Sequence, residues 1–407
     1  MRTHSEPPTT MDAALRRTAL WATTIQGLFA LTWALYVAFL PALLARAGLE
    51  ARLAILFVVL DQTVFAVADW ASGVYADRLA RLLNRIGPAL TACAIASSCA
   101  LVVLPWVASL GVPALLVGIT VLWTATSSAL RAPVFTLLGR VGGAARPAGA
   151  VSLALVGIGI AGAIAPVLTR TLAQADPRIA LGVCAVALAG AALFASRLEA
   201  GAANATTSPS KTATRAPAFF FAALVVVAGF GVQVHTVLLG ARATKEGVAW
   251  AAWWSPAFWT GFALGLLVAA LLGRATATAP PLRSGAAGLL LGALALVAAQ
   301  VAGDAIPFGV AQIVAGAAWA LFTAIAVRAA MAFGGSEGIG SPIGLIFSAL
   351  AVAALARLGL TLAGLQAADW VVWLPATAYV ASGVLLLLFA LSGARATATV
   401  GEPARSK

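Results

Sequence analysis

Between Ala19 and Leu391 apolar stretches follow one another almost without a break. Each is about 18 to 26 residues long, enough to cross roughly 30 Å of hydrocarbon at about 1.5 Å per residue. With 62% hydrophobic and 9% charged residues in a chain of 407, no single interior of a water-soluble domain could hide the apolar side chains, so the bilayer must act as solvent. Hydrocarbon offers no partner to a free backbone N–H or C=O, which leaves helices or the strands of a closed barrel. Barrel strands would be about 10 residues long with alternating polarity, and these runs are neither. The expected fold class is all-α, a polytopic membrane protein of twelve transmembrane helices.

Charges and clusters of Pro and Gly place the spans near 19–44, 53–77, 88–109, 112–138, 148–170 and 178–196, then 217–240, 249–273, 285–303, 305–330, 341–366 and 370–391. An even count puts both termini on one side. The loops of that side hold 17 of the 25 basic residues: Arg2, Arg16, Arg17, Arg78, Arg81, Arg85, Arg140, Arg146, Arg197, Lys211, Arg215, Arg274, Arg283, Arg328, Arg395, Arg405 and Lys407. The opposite loops hold 6, namely Arg46, Arg52, Arg170, Arg178, Arg242 and Lys245, while Arg131 and Arg357 fall inside spans. By the positive-inside rule the termini are cytoplasmic, in the inner membrane. The net charge of +12 then reflects loop topology and contact with anionic lipid rather than nucleic acid. The first span lacks a small-residue cleavage site and reads as a retained helix, not a signal peptide. Cys93, Cys99 and Cys184 lie at membrane depth without partner spacing and read as packing residues. The acceptor-like Asn204-Ala205-Thr206 falls in a loop assigned to the cytoplasm and reads as chance.

The longest interruption, Arg197 to Ala216, is rich in Ala, Thr, Ser and Lys and has no periodic apolar face. It divides the chain into two pseudo-symmetric six-helix bundles, 1–196 and 217–407, joined by a cytoplasmic linker at 197–216. The other loops leave no room for an extramembrane catalytic domain. No phosphate loop, His/Cys metal spacing or nucleophile elbow is present, so neither an enzyme nor a cofactor or metal is expected.

After the second span stands Gly73-Val74-Tyr75-Ala76-Asp77-Arg78-Leu79-Ala80-Arg81. Gly73 permits close approach of another helix, and Asp77 can accept from helix N-terminal N–H groups or from Arg. In this motif, helix count, linker position and orientation, the chain resembles the major facilitator superfamily, whose G-x-x-x-D-R-x-G-R signature the second-to-third loop matches except at Ala80. The resemblance implies a cytoplasmic latch between the halves made by Gly73, Asp77, Arg78 and Arg81. The corresponding loop of the second half, around Gly273 and Arg274, lacks an acid. Gly162-Ala163-Ile164-Ala165-Pro166 is similar to the G-x-x-x-G-P stretch of the family's antiporters, with Ala165 in place of the second glycine. Small residues at Gly157, Gly159 and Gly162 would equally serve tight helix packing.

Four fully charged residues lie within spans: Asp61 and Asp69 in the second, Arg131 in the fourth and Arg357 in the eleventh. Each isolated charge costs about 2.5 to 3.5 kcal/mol at mid-helix, so these should pair or face water. Counted from Asp77 and Arg140, Asp69 and Arg131 both lie roughly 12 to 14 Å in from one edge. Counted from the other edge, Asp61 and Arg357 match at roughly 14 Å. On the family architecture Asp69 with Arg131 would be a brace inside one bundle. Asp61 with Arg357 would be a switch bond across the bundles, formed when the outer side closes. The alternative for both pairs is satisfaction by backbone carbonyls or by snorkelling. His235 in the seventh span either carries a proton or stays neutral on a carbonyl. In the family the first, fourth, seventh and tenth helices line the cavity, which implicates Trp33, Tyr36, Trp123 and Trp319 as apolar wall and Gln26, Gln233 and Gln312 as hydrogen-bonding groups. Helix-interface packing is the alternative for each Trp. Trp21, Trp106, Trp250, Trp253, Trp370 and Trp373 lie near span ends and read as interface anchors.

The combined expectation is a secondary transporter working by alternating access, exporting or exchanging a small apolar or amphipathic solute against protons, with Asp61 as coupling carboxylate. Its partners are a small-molecule substrate, protons and membrane lipids, and it is expected to be a monomer. An uncoupled facilitator or importer, or a non-transporting scaffold that kept the fold, are the rival readings.

Overall fold

The computed structural model describes residues 13–142, 148–200, 215–272, 281–334 and 338–400. Among them no strand occurs, and twelve helices are long and apolar enough to cross a membrane. We number them α1 (Ala13–Arg46), α2 (Ala51–Leu83), α3 (Gly87–Ala108), α4 (Pro113–Gly142), α5 (Gly149–Thr171) and α6 (Pro177–Glu199) in the first half. The second half holds α7 (Pro217–Lys245), α8 (Ala251–Leu271), α9 (Leu282–Val301), α10 (Ala305–Phe333), α11 (Gly340–Leu362) and α12 (Asp369–Ser392). Every expected span is present. Most of the linker expected at 197–216 lies outside the described residues, as do Arg2, Arg146, Asn204, Lys211, Arg274, Arg405 and Lys407. At its edges helix continues to Ala200 and resumes at Arg215.

The helices of the two halves pack in matching pairs. In the first half α1 lies on α5 and α6, α3 on α4 and α6, and α2 on α4; in the second α7 lies on α11 and α12, α9 on α10 and α12, and α8 on α10. Across the halves α2 packs on α11 and α5 on α8, with the later part of α4 also meeting α11. The small residues of α5 serve these contacts: a β-carbon on Gly157 would overlap the Thr23 carbonyl of α1, and one on Gly162 would lie 2.5 Å from the Trp259 indole of α8.

The hydrophobic core is not uniform along the molecule. In the half nearest Asp77 it is continuous across both bundles, joining Phe29, Phe65 and Phe135 to Phe221, Phe258 and Phe347. Toward the other end it divides. Leu40, Phe57, Leu104 and Trp123 form one cluster in the first half, to which α11 adds Leu358; Leu239, Trp254, Phe308 and Val371 form another in the second half.

Three local features depart from the sequence expectation. The signature read as a loop is helical, because α2 runs on to Leu83 and stops only where Asn84 turns left-handed at φ 51°. Helix α4 is broken: Arg131 has φ −108° and ψ −90°, between a 3-10 turn at Ser128–Leu130 and a new helix from Ala132. Pro133 explains the break, since it lacks the N–H that would bond the carbonyl four residues earlier. Trp21, expected at the membrane interface, is buried and donates from its indole N–H to the Ala191 carbonyl at 2.8 Å.

Candidate functional site

Near the ends of α2 and α4 the Asp77 carboxylate reaches out of the first half into the second. It accepts from the backbone N–H of Gly340 and of Ser341, each at 2.8 Å, at the start of α11. Those N–H groups have no partner within their helix and carry the positive end of its dipole, so a carboxylate is the favoured occupant. Gly338 must be glycine on two counts, a φ of +121° and a β-carbon position inside the Asp77 carboxyl group. Gly73 lies against Gly340 and Gly344. Arg78 and Arg81 stand on the exposed face beside this contact. Behind it Glu199, buried at the end of α6, accepts from Ile86 N–H and Gly87 N–H at the start of α3 and lies 3.6 Å from Arg140.

Two turns deeper, Asp69 and Arg131 form an ion pair, with Arg131 Nη1 2.5 Å from Asp69 Oδ2. The broken α4 points the arginine inward, between the rings of Phe29, Phe65 and Phe347 at 5.8, 5.2 and 4.9 Å from Cζ to centroid. Such placements stabilise a buried guanidinium. Beside the break Gln26, fully buried on α1, donates to the Leu130 carbonyl at 2.7 Å. Gln26 thus has a structural bond in hand.

Asp61 is buried further toward the opposite end. Thr124 Oγ1 donates to its Oδ1 at 2.9 Å, while Oδ2 has no partner. The Tyr36 hydroxyl adjoins Asp61 and Thr120 without meeting hydrogen-bond geometry, and its ring packs on Trp123 at 4.5 Å. The Trp33 indole N–H is likewise buried and unbonded. Arg357 makes no ion pair with Asp61, and its Nε is buried without a partner. Measured along the helices from the contact of Gly344 with Asp69, Arg357 lies about 7 Å beyond the level of Asp61, so the equal depth expected from sequence is not met.

In the second half α7 widens into a π-helical turn at Val234–Leu239. His235 in this turn lies 2.8 Å from Gln312 Oε1 of α10, and its carbonyl accepts from Trp254 Nε1 at 2.9 Å. Its ring packs on Trp254 and Phe258 of α8, so the pair sits inside the second bundle. Gln233 is half-buried just before the turn, and Trp319 is buried against Phe322. Among the described residues no three His, Cys, Asp or Glu side chains gather to hold a metal.

No family model and no curated protein matches the sequence. Solved structures do match in shape. A bacterial homologue of the iron transporter ferroportin, in an outward-facing state, superposes with TM-score 0.70 at 13% identity, over 92% of this chain and 99% of that one. The human organic anion transporter MFSD10 gives 0.65 at 15% identity, over 94% and 99%. The major facilitator superfamily proton:xylose symporter XylE gives 0.63 at 12% identity, over 93% and 94%.

The chain has the major facilitator fold. Within that fold Asp77 and the start of α11 join the two halves at one end. Residues not singled out from sequence complete the picture: Thr120 and Thr124 beside Asp61, Phe347 over Arg131, and Glu199 on α3. The Thr pair could have been found from its spacing, since residues four apart on α4 share a face. Phe347 carries no such signal in an apolar helix.

Proposed function

We propose that the protein is a secondary transporter of the inner membrane, with both termini cytoplasmic and two six-helix bundles, 1–196 and 217–407, working by alternating access. The observation that carries this reading is the division of the core: one cluster spans both bundles at the Asp77 end, two separate clusters stand at the other. A molecule whose bundles share one core at one end and hold separate cores at the other, bridged there by Leu358 of α11, has the form expected of one state in an alternating cycle. The homologue of ferroportin, matched in shape, was solved outward-facing. The Asp77 end is then cytoplasmic, in keeping with the clustering of Arg78, Arg81 and Arg85 there.

The substrate is a small apolar or amphipathic solute that enters between the divided clusters, exchanged against protons. Asp61 is the coupling carboxylate, because it is buried, has a free oxygen and has no cation beside it in an ion pair. Purified protein would be screened with solutes for a rise in apparent melting temperature, since a ligand of the native state stabilises it. Hits would then be followed into vesicles. Exchange of a hit that a pH gradient accelerates, with that acceleration lost in Asp61→Asn while exchange persists, supports the reading. Exchange indifferent to the gradient would replace it with an uncoupled facilitator, and no exchange of any hit with a scaffold.

A further inference from the structure

We infer that Phe347 is the cover of a proton-exchange site formed by Asp69 and Arg131, closing it toward the Asp77 end and withdrawing with α11 when that end opens. The inference rests on the transport reading above. Arg131 on α4 and Asp69 on α2 belong to the first half, as do the two rings flanking the guanidinium, Phe29 and Phe65. The third ring belongs to the second half. Phe347 lies 4.9 Å from Arg131 Cζ and 5.5 Å from the Phe135 ring, and is 2% exposed. One turn earlier on α11, Gly344 lets the helix rest on the backbone of Asp69 and Trp70, where a β-carbon would lie 2.5 Å from the Asp69 carbonyl oxygen. The site is therefore sealed by a contact between halves, which is the contact an alternating cycle must break.

The carboxylate has room for a proton. Arg131 engages Oδ2, whereas Oδ1 is buried with no hydrogen-bond partner. A proton from water on the open side would bind Oδ1 without breaking the bond at Oδ2, and return to water when the site faces the other way. Arg131 keeps 12% of its side chain exposed while Asp69 has none, so what exposure the pair has lies on the arginine. The charged groups on the elements around it are Arg131 and Arg140 of α4, Arg52, Asp61, Asp77, Arg78 and Arg81 of α2 itself and Arg357 of α11; α1 brings none between Arg17 and Arg46. Of these, Arg131 is the one ion-paired with the Asp69 carboxylate. With Phe347 removed, the vacated ring position would open the pair on the side of the second half.

The test is proton entry into vesicles that hold a pH-sensitive dye, after an acid pulse and with no solute added. It is run in an Asp61→Asn background, so the role of Asp61 cannot decide it, and it needs no known substrate, so failure of the transport reading remains a separate result. Phe347→Ala should admit protons several-fold faster than its parent, and adding Asp69→Asn should return the rate to the parent's. A Phe347→Ala protein that melts like its parent yet leaks no faster would overturn the inference, as would a leak that survives Asp69→Asn. Should Phe347→Ala fail to fold, Phe347→Leu, which keeps most of the volume and loses the aromatic face, is put through the same comparison with the same two outcomes deciding.

Discussion

Gly73 of α2 and Gly340 of α11 meet backbone to backbone, so that a β-carbon on either would overlap the carbonyl oxygen of the other. Neither carbonyl is a flexible side-chain end that could swing aside. The two halves of the chain approach here as closely as peptide groups allow, and the bonds from Gly340 and Ser341 to Asp77 depend on that approach.

Gly73→Ala should therefore separate the bundles at this end rather than unfold either one. Overpacking of this kind costs about 1 to 3 kcal/mol, enough to move a two-state balance at least several-fold. Single cysteines on the exposed turns of α2 and α11 would report it by faster labelling from the Asp77 side. Labelling equal to the parent protein's would mean that the glycine contact does not hold the end closed.

Asp77→Asn keeps the shape of the latch and removes its charge. Hydrogen bonds to charged groups contribute about 1.5 to 3 kcal/mol, so the state open at the Asp77 end should gain population by tenfold or more. Turnover should suffer more than solute binding. Unchanged cysteine accessibility together with normal transport is the contrary result.

Asp69→Asn or Arg131→Gln alone leaves a charge buried without its counter-ion, which typically costs about 3 to 5 kcal/mol. Removing both should cost markedly less than the two losses combined, because the pair shields each member from hydrocarbon. A thermal double-mutant cycle decides this. Additive losses would mean that the two charges are satisfied separately.

For Asp61 and Arg357 the expectation differs between assays. They form no ion pair in the closed-at-Asp77 state, so Asp61→Asn and Arg357→Gln should act additively on its melting. If the parted end brings them together on closing, the same cycle measured on solute exchange should show coupling. Additivity in both assays removes the proposed switch.

Topology can be checked without a substrate. With basic residues gathered on one side, a fusion reporter at Lys407 should be active only when it is of the kind that works in the cytoplasm. Activity of an exported reporter there would invert the assignment of every loop.

The twelve spans were legible because hydrocarbon thickness sets a length that few other constraints imitate. The pairing of Asp69 with Arg131 was legible for a related reason: a buried charge must be met, and both could be counted from the same edge. Facing was not legible. Gln26 and Gln312 are equally plausible from sequence as cavity groups, but spans that are apolar all round give no stripe to show which way a residue points. One turned out to hold the Leu130 carbonyl and the other His235. A span ending at residue 366 would set Arg357 level with Asp61, whereas α11 ends at Leu362 and carries Arg357 nearer its end. Breaks in helices carry a weak signal: Pro133 stands beside one inside a span that reads as continuous, while the turn at His235 contains neither proline nor glycine.

That turn has a consequence for the phase of α7. A π-helical turn takes in one residue more than an α-helical one, so the segment after it is rotated by about 100° relative to an unbroken helix. The helical wheel of α7 before Val234 and the one after Leu239 are thus two different wheels. Arg242, on the second, lies within 3.9 Å of Asp369 at the start of α12. Deleting one residue between Val234 and Leu239 would let the backbone relax to an ordinary helix, a locally easy change, yet it would swing Arg242 by about a quarter turn away from Asp369. The extra residue acts as a phase shifter, setting the direction in which the end of α7 meets its neighbours independently of the direction in which its first half is packed.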